Sequence, residues 1–259
     1  MKIDNRTVLV TGGSSGLGLA LAGELVRRGN TVIAAGRDRH RLDAARAAVP
    51  GLRTLACDVA DPAALQQLQE TVEREFPALD MLVNNAGVMK EIDFSRRPDA
   101  DEVAGEVEVN LTAILRLCAR FVPVLMRRPE ACIVNVSSGL AFVPFPSTPV
   151  YSATKAALHS FTQSLRIQLK SSGVRVVELL PPAIDTPMLT AGMRRAMRGQ
   201  RMATPAEIAA AALRGLEGGA EEITPGDARM LRLLGRLAPS LLLRQMGAMH
   251  TRRAGSPRG

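Results

Sequence analysis

The chain has no tryptophan, one tyrosine (Tyr151) and six phenylalanines in 259 residues. Binding of splayed-out bases needs aromatic faces for stacking, and this sequence scarcely has them. Cysteine is equally sparse. Cys57, Cys118 and Cys132 have no paired or metal-ligand spacing, and each lies in an apolar or strand-like run where a reduced, packed thiol is expected. The three histidines, His40, His159 and His250, fall in no Ser/His/Asp arrangement and have no metal-ligand company, so neither a nucleophilic triad nor a bound metal is expected. No run of about eighteen uncharged apolar residues is available to span a bilayer, and no N-terminal apolar stretch resembles a secretory signal. These absences together point to a soluble, cytoplasmic protein.

What the sequence does have is apolar volume and arginine. Hydrophobic residues make up 46% of the chain, enough for a sizeable core. The formal net charge is +8, and the excess is concentrated late: from Arg229 to Arg258 there are seven arginines and no acidic residue. With no helix-turn-helix or zinc spacing and few aromatics, this charge is not read as a nucleic-acid surface. An anionic cofactor, substrate or membrane surface would each account for it.

Short apolar runs alternate with longer helix-like stretches, the pattern of repeated strand-helix units and a parallel sheet. The strand candidates are Thr7–Thr11, Thr31–Gly36, Arg53–Asp58, Met81–Asn84, Cys132–Ser137, Val174–Leu180 and Glu222–Thr224. Helix candidates are Leu17–Arg28, Arg39–Ala48, Pro62–Phe76, Val103–Met126, Val150–Ser171 and Pro205–Leu216. Asp61 and Thr204 are placed to cap helices that open at Pro62 and Pro205. With no linker or repeat, residues 1–251 read as one domain. Its C-terminal segment, about 226–250, reads as a helical lid or contact element, and 252–259 as a frayed tail.

The first strand runs directly into Thr11-Gly12-Gly13-Ser14-Ser15-Gly16-Leu17-Gly18, and a helix follows. Glycines there let the backbone turn tightly and approach a pyrophosphate, and the free N–H groups of the helix start supply donors. Asn84-Asn85-Ala86-Gly87 follows the fourth strand, Asn110 lies in the fifth helix region, Ser137-Ser138 ends the fifth strand, and Tyr151-Ser152-Ala153-Thr154-Lys155 comes thirteen residues after Ser138. In order and spacing these motifs resemble those of the short-chain dehydrogenase/reductase family, over about Lys2 to Gly226.

The resemblance implies an α/β fold: a Rossmann-type, doubly wound parallel sheet of about seven strands in three layers. It implies an oxidoreductase interconverting a carbonyl and an alcohol, with Asn110, Ser138, Tyr151 and Lys155 as the catalytic set. It further implies a nicotinamide cofactor held by Gly12, Ser14, Ser15, Gly16, Leu17 and Gly18 at the phosphates. Asp58 and Val59 would meet the adenine, Asn85, Ala86 and Gly87 its ribose side, and Tyr151, Lys155, Ile184 and Thr186 the nicotinamide end. Homodimers or homotetramers through Val103–Met126 and Val150–Ser171 are expected by the same resemblance.

Cofactor choice is argued from the residues. An NAD-preferring site places Asp or Glu at the end of the second strand, whereas this chain has Ala35-Gly36-Arg37. A guanidinium there can grip a 2′-phosphate through paired, charge-assisted bonds, so NADP(H) is expected over NAD(H). Arg39 and Arg41 either assist or are solvated helix residues.

Tyr151 and Lys155 are i and i+4 neighbours on one helix face. The ammonium is expected to stabilise the phenolate and bring its pKa down toward a range useful for proton exchange. A second reading, an NADP(H)-binding redox sensor without turnover, has no need of such a pair. After the sixth strand comes Pro181-Pro182-Ala183-Ile184-Asp185-Thr186-Pro187-Met188, where Pro182 stands in place of the family's glycine. Together with Gly226-Asp227-Ala228-Arg229-Met230-Leu231, this is similar to a subgroup named for its association with teichoic-acid D-alanylation. Met188, Met193 and Met197 in the Leu189–Met202 segment read either as an adaptable pocket lining or as ordinary packing. Met230–Met246 reads as a lid, a subunit contact or a peripheral membrane helix, the first two being preferred.

Overall fold

The computed structural model describes residues 2–197, 199 and 201–254. Its strands are β1 (Thr7–Thr11), β2 (Thr31–Gly36), β3 (Arg53–Ala56), β4 (Leu79–Asn84), β5 (Ala131–Val136), β6 (Val174–Leu179) and β7 (Glu222–Ile223). All pair in parallel in one sheet of order β3-β2-β1-β4-β5-β6-β7. The helices are α1 (Gly16–Arg27), α2 (Arg39–Ala48), α3 (Pro62–Glu75), α4 (Ala100–Val107), α5 (Ala113–Leu125), α6 (Pro149–Gln168), α7 (Ala191–Ala196), α8 (Pro205–Glu217), α9 (Ala228–Leu237) and α10 (Pro239–Ala254).

Successive strand side chains point to opposite faces, and both faces here are covered. Val8, Val10, Cys132 and Val134 join a core with Leu21 and Leu25 of α1, Leu42 of α2 and Ile208 and Leu213 of α8. Leu9 and Ile133 join a second core with Leu65 and Val72 of α3, Ile114 and Phe121 of α5 and Leu158 of α6. This is the three-layer, doubly wound fold, and it explains why the strands read as continuous apolar runs. Strand order reverses between β1 and β4, so a crevice opens beyond their C-terminal ends. Buried amides brace this region: Asn84 of β4 donates to Asn135 of β5 (2.8 Å), and Asn135 donates to Thr162 of α6 (2.9 Å).

The expected caps are present. Asp61 accepts from the Ala63 N–H at 2.9 Å, and Thr204 forms a reciprocal capping box with Glu207. Most boundaries shift by a residue or a few, and three differences are larger in consequence. β3 stops at Ala56, where its partner β2 ends at Gly36, so Asp58 lies in the following loop instead of closing the strand. The single helix expected over Val103–Met126 is α4 and α5 joined by a π turn at Glu108–Thr112, which contains Asn110; wide turns of this kind collect at functional sites. Finally, α10 runs to Ala254 through the start of the expected frayed tail, and 255–259 lie outside the described residues. Among the described residues no helix is long and apolar enough to cross a membrane.

Candidate active site

The crevice begins at Thr11. Its buried hydroxyl donates to the Val83 carbonyl (3.3 Å) and accepts from the N–H groups of Asn85 (3.0 Å) and Ala86 (3.1 Å). The Asn85 amide donates back to the carbonyls of Thr11 (3.0 Å) and Gly12 (3.2 Å). The glycine loop and the Asn84–Gly87 stretch are therefore tied together side by side. Gly12 has φ +65°, and a Cβ there would lie 2.9 Å from Ala86 Cα; a Cβ on Gly18 would lie 2.2 Å from the Gly12 carbonyl oxygen. Ser15 is the N-cap of α1 but makes no side-chain bond to the first-turn N–H groups. Those donors at a helix N-terminus suit an anion.

A cleft of about 1450 Å³ extends from this loop across the ends of β4, β5 and β6. Gly12, Ser14, Ser15, Gly16, Leu17 and Gly18 line its start, with Arg37, Asp58 and Val59 on one side and Asn85, Ala86 and Gly87 on the other. Ser138, Tyr151 and Lys155 line the far wall, with Ile184 and Thr186 between the two ends. Thr186 faces the loop: a Cβ on Gly16 would lie 3.3 Å from its methyl group. Arg41 lines the cleft as well, whereas Arg39 belongs to a separate small depression with Asp43 and Arg46. Asp58 Oδ1 accepts from the Ala60 N–H at 3.0 Å, a turn cap, while its side chain still reaches the cleft.

Ser138 leaves β5 as the N-cap of a short 3-10 turn, its hydroxyl oxygen accepting from the Leu140 N–H at 3.1 Å. It also hydrogen-bonds the Tyr151 phenol. Lys155, one turn along α6 from Tyr151, donates from Nζ to the Val136 carbonyl at 2.8 Å and lies 5.5 Å from the centre of the tyrosine ring. Both residues are buried. Asn110 is brought near but not into the cleft. Its amide exchanges hydrogen bonds with both backbone groups of Val88 (2.8 Å each) and donates to Thr154 of α6 (3.4 Å), so it braces the wall that carries the pair.

The electrostatics correct one expectation. Burial pushes the Tyr151 phenol up to about 12; the bond from Ser138 opposes this and the Glu106 carboxylate adds to it. The lysine was expected to draw the phenol down, but withdrawal of this ring from water outweighs such an effect. Lys155 is itself held down to about 8 by burial, against the favourable charges of Glu178 and Glu106.

Glu106 and Glu178 were not singled out in the sequence, yet both are fully buried beside the pair. A lone glutamate in the apolar run Val174–Leu180 was the available signal. Glu178 overturns a second expectation, that no histidine has ligand-like company. His159 Nδ1 lies 2.7 Å from Glu178 Oε2, and one ligand atom each from His159, Glu178 and Glu222 fall within 4.8 Å of one another. The sequence hides this because α6, β6 and β7 meet only through the sheet. Arg232 of α9, 2.6 Å from Glu222, already supplies positive charge there.

The end of the cleft away from the glycine loop is apolar. Phe145, Leu189 and Met193 form a small core with Met89, Leu140, Met202 and Met246. α9 closes this end: Met230 and Leu231 line the cleft, and a Cβ on Gly139 would meet Leu231 at 3.1 Å.

Residues 6–196 match the family model described as short chain dehydrogenase. Over 247 residues the chain is 44% identical to the uncharacterized oxidoreductase DltE of Bacillus subtilis (strain 168), covering 95% of this chain and 98% of that protein. Among solved structures, a short chain dehydrogenase from Burkholderia cenocepacia J2315 in complex with NADP superposes with a TM-score of 0.79 at 30% identity, covering 99% of this chain and 100% of the other. The 3-ketoacyl-(acyl-carrier-protein) reductase from Brucella melitensis complexed with NADH gives 0.79 at 26% identity, covering 88% and 100%. The chain belongs to the short-chain dehydrogenase family, in its DltE-like subgroup, and is an oxidoreductase.

Proposed function

We propose that the protein is an NADP(H)-dependent oxidoreductase that interconverts a carbonyl and an alcohol, with Tyr151 as general acid and base. The observation that carries this reading is the convergence of Ser138, Tyr151 and Lys155 on one wall of a cleft whose other end is an uncapped helix N-terminus behind a glycine loop. The loop fits a dinucleotide, since the close approaches at Gly12 and Gly18 leave backbone N–H groups, not side chains, to meet a pyrophosphate. The two solved relatives carry NADP and NADH, so the preference rests on this chain's own residues. Arg37 is exposed, lines the cleft and makes no ion pair with a described residue. The adjacent carboxylate of Asp38 is occupied, capping α2 through the Arg41 N–H and pairing with the Arg41 guanidinium at 3.3 Å. A 2′-phosphate at Arg37 would meet a free guanidinium and no uncompensated carboxylate.

The bound reduced nicotinamide would supply a hydride to the carbonyl carbon. The residues of this chain manage the oxygen. The Ser138 hydroxyl oxygen accepts from Leu140 while the hydroxyl bonds the Tyr151 phenol, so a substrate oxygen entering between the two would take over the Ser138 hydrogen. Tyr151, kept protonated at neutral pH by burial, gives its proton to the same oxygen as the alcohol forms. Lys155 stands beside the phenolate left behind and stabilises it by charge. Asn110 acts at a distance, by holding the π turn against Val88 and Thr154. The apolar walls around Phe145, Leu189 and Met193 select a carbonyl or alcohol borne on an apolar body. The chain acts as one unit, with 226–250 forming part of that wall. As in the family, assembly into a homodimer or homotetramer through α5 and α6 is expected; Met126 and Ile167 leave apolar surface exposed at the ends of these helices.

The test is a panel of apolar aldehydes, ketones and alcohols followed by nicotinamide absorbance, with NADPH and NADH in parallel. Turnover that prefers NADPH and vanishes in Tyr151→Phe is expected. Tight NADPH binding with no turnover across the panel would return the protein to the sensor reading.

A further inference from the structure

Among the described residues, five large apolar side chains of α9 and α10 face solvent: Met230, Leu233, Leu237, Leu241 and Leu243, between 47% and 73% exposed. On α9 the first three follow one another at spacings of four or three residues and so form one stripe. The rest of α9 is docked. Ala228 is fully buried, Leu231 packs toward Gly139, and a Cβ on Gly235 would lie 3.1 Å from the Phe142 carbonyl. The helix is thus held against the protein on one side while its apolar stripe is left open on the other.

Charge decides what covers the stripe. Between Arg229 and the end of the chain there are seven arginines and no aspartate or glutamate; Arg232 pairs with Glu222 and Arg229 donates to the Thr224 carbonyl, and the segment still keeps a large positive excess over that one acidic partner. A second copy meeting this face about a two-fold axis would set the segment against itself, arginine against arginine. A surface carrying phosphate groups over an apolar interior satisfies both features together: the leucines enter the acyl boundary and the guanidiniums meet the headgroups. We propose that α9 and α10 dock the protein on an anionic bilayer surface, lying in the plane of the interface without crossing it. Met230, Leu231 and Met246 also line the cleft, so docking turns its apolar end toward the lipid.

The experiment is flotation of the full-length protein with phosphatidylcholine vesicles, alone or containing phosphatidylglycerol, at low and high salt. The probe variant is Leu233→Ser/Leu237→Ser, whose residues line no part of the cleft; circular dichroism and thermal melting establish that it folds. We expect binding to the phosphatidylglycerol vesicles roughly tenfold or more above phosphatidylcholine alone, weakened by salt and abolished in the double variant. Equal or absent binding to the two vesicle types overturns the proposal, as does a folded double variant that floats like the parent. A double variant that forms a smaller assembly than the parent in light scattering also overturns it, because the stripe would then be covered by another copy. None of these readouts depends on turnover, so failure here leaves the proposed reaction standing.

Discussion

The two ends of the cleft are built on different principles. At the glycine loop, shape is set by backbone: Thr11 and Asn85 lock β1 to β4 through five hydrogen bonds, and Gly18 admits no Cβ without meeting the Gly12 carbonyl. At the substrate end, shape is set by the packing of Phe145, Leu189, Met193 and Met246, brought together from separate stretches of the chain. Backbone locks have no slack, whereas methionine-rich packing can be refilled in several ways. One end is therefore suited to a ligand of invariant shape and the other to a ligand whose body varies.

Substitutions at and between the two ends test this contrast. The largest effect belongs to Tyr151, on the wall opposite the glycine loop. Tyr151→Phe removes the proton donor and should lower kcat by about 10²–10⁴-fold while leaving NADPH affinity within a few fold. Next is Gly18→Val, which drives a branched side chain into the Gly12 carbonyl; NADPH affinity should fall by at least about 100-fold, with roughly 1–3 kcal/mol of stability lost in thermal or urea unfolding. Arg37→Ala should cost one charge-assisted phosphate interaction, about 1.5–3 kcal/mol of NADPH binding, and leave NADH binding unchanged. Met193→Ala, by contrast, should raise KM several fold for a bulky substrate and change kcat little. A collapse of kcat there would mean that the substrate end is as unforgiving as the loop.

The same contrast explains which features are legible in the sequence. β1, β2 and α2 are legible to the residue, because buried parallel strands are uniformly apolar and the first loop depends on a glycine at φ +65° whose 2.9 Å approach to Ala86 leaves no room for a Cβ. The Tyr151/Lys155 pair is legible because helical spacing is local. Glu106, Glu178 and the His159 cluster are not, since their proximity to the pair is created by the sheet order β5-β6-β7 and the packing of α4 and α6. The docking of α9 over Gly139 and Phe142 is hidden for the same reason: nothing local in a leucine- and arginine-rich helix says which residues face inward. The direction of the phenol's shift is not legible in the sequence, because spacing reveals the neighbouring charge but not the depth of burial.

The smallest effect sharpens the comparison most, because it asks whether the proton chemistry is governed from the sheet. In the proposed mechanism Lys155 must carry its proton to stabilise the phenolate, and in the folded protein its pKa is lowered to about 8, with burial opposed first by Glu178 and then by Glu106. Carbonyl reduction should therefore hold level at pH values below about 8 and decline as pH rises through that value and the ammonium is lost. Glu178→Gln removes the larger of the two supporting charges, so the limb should move to lower pH, by roughly one unit or less for a partner that touches no atom of the lysine directly. His159→Gln breaks the 2.7 Å pairing but leaves the Glu178 carboxylate in place, so its limb should stay where the parent's lies. If both variants shift alike, geometry imposed by the His159–Glu178 pair, and not the buried charge, controls the lysine. If neither shifts, the alkaline limb belongs to another group, and the sheet end contributes only packing to this half of the cleft.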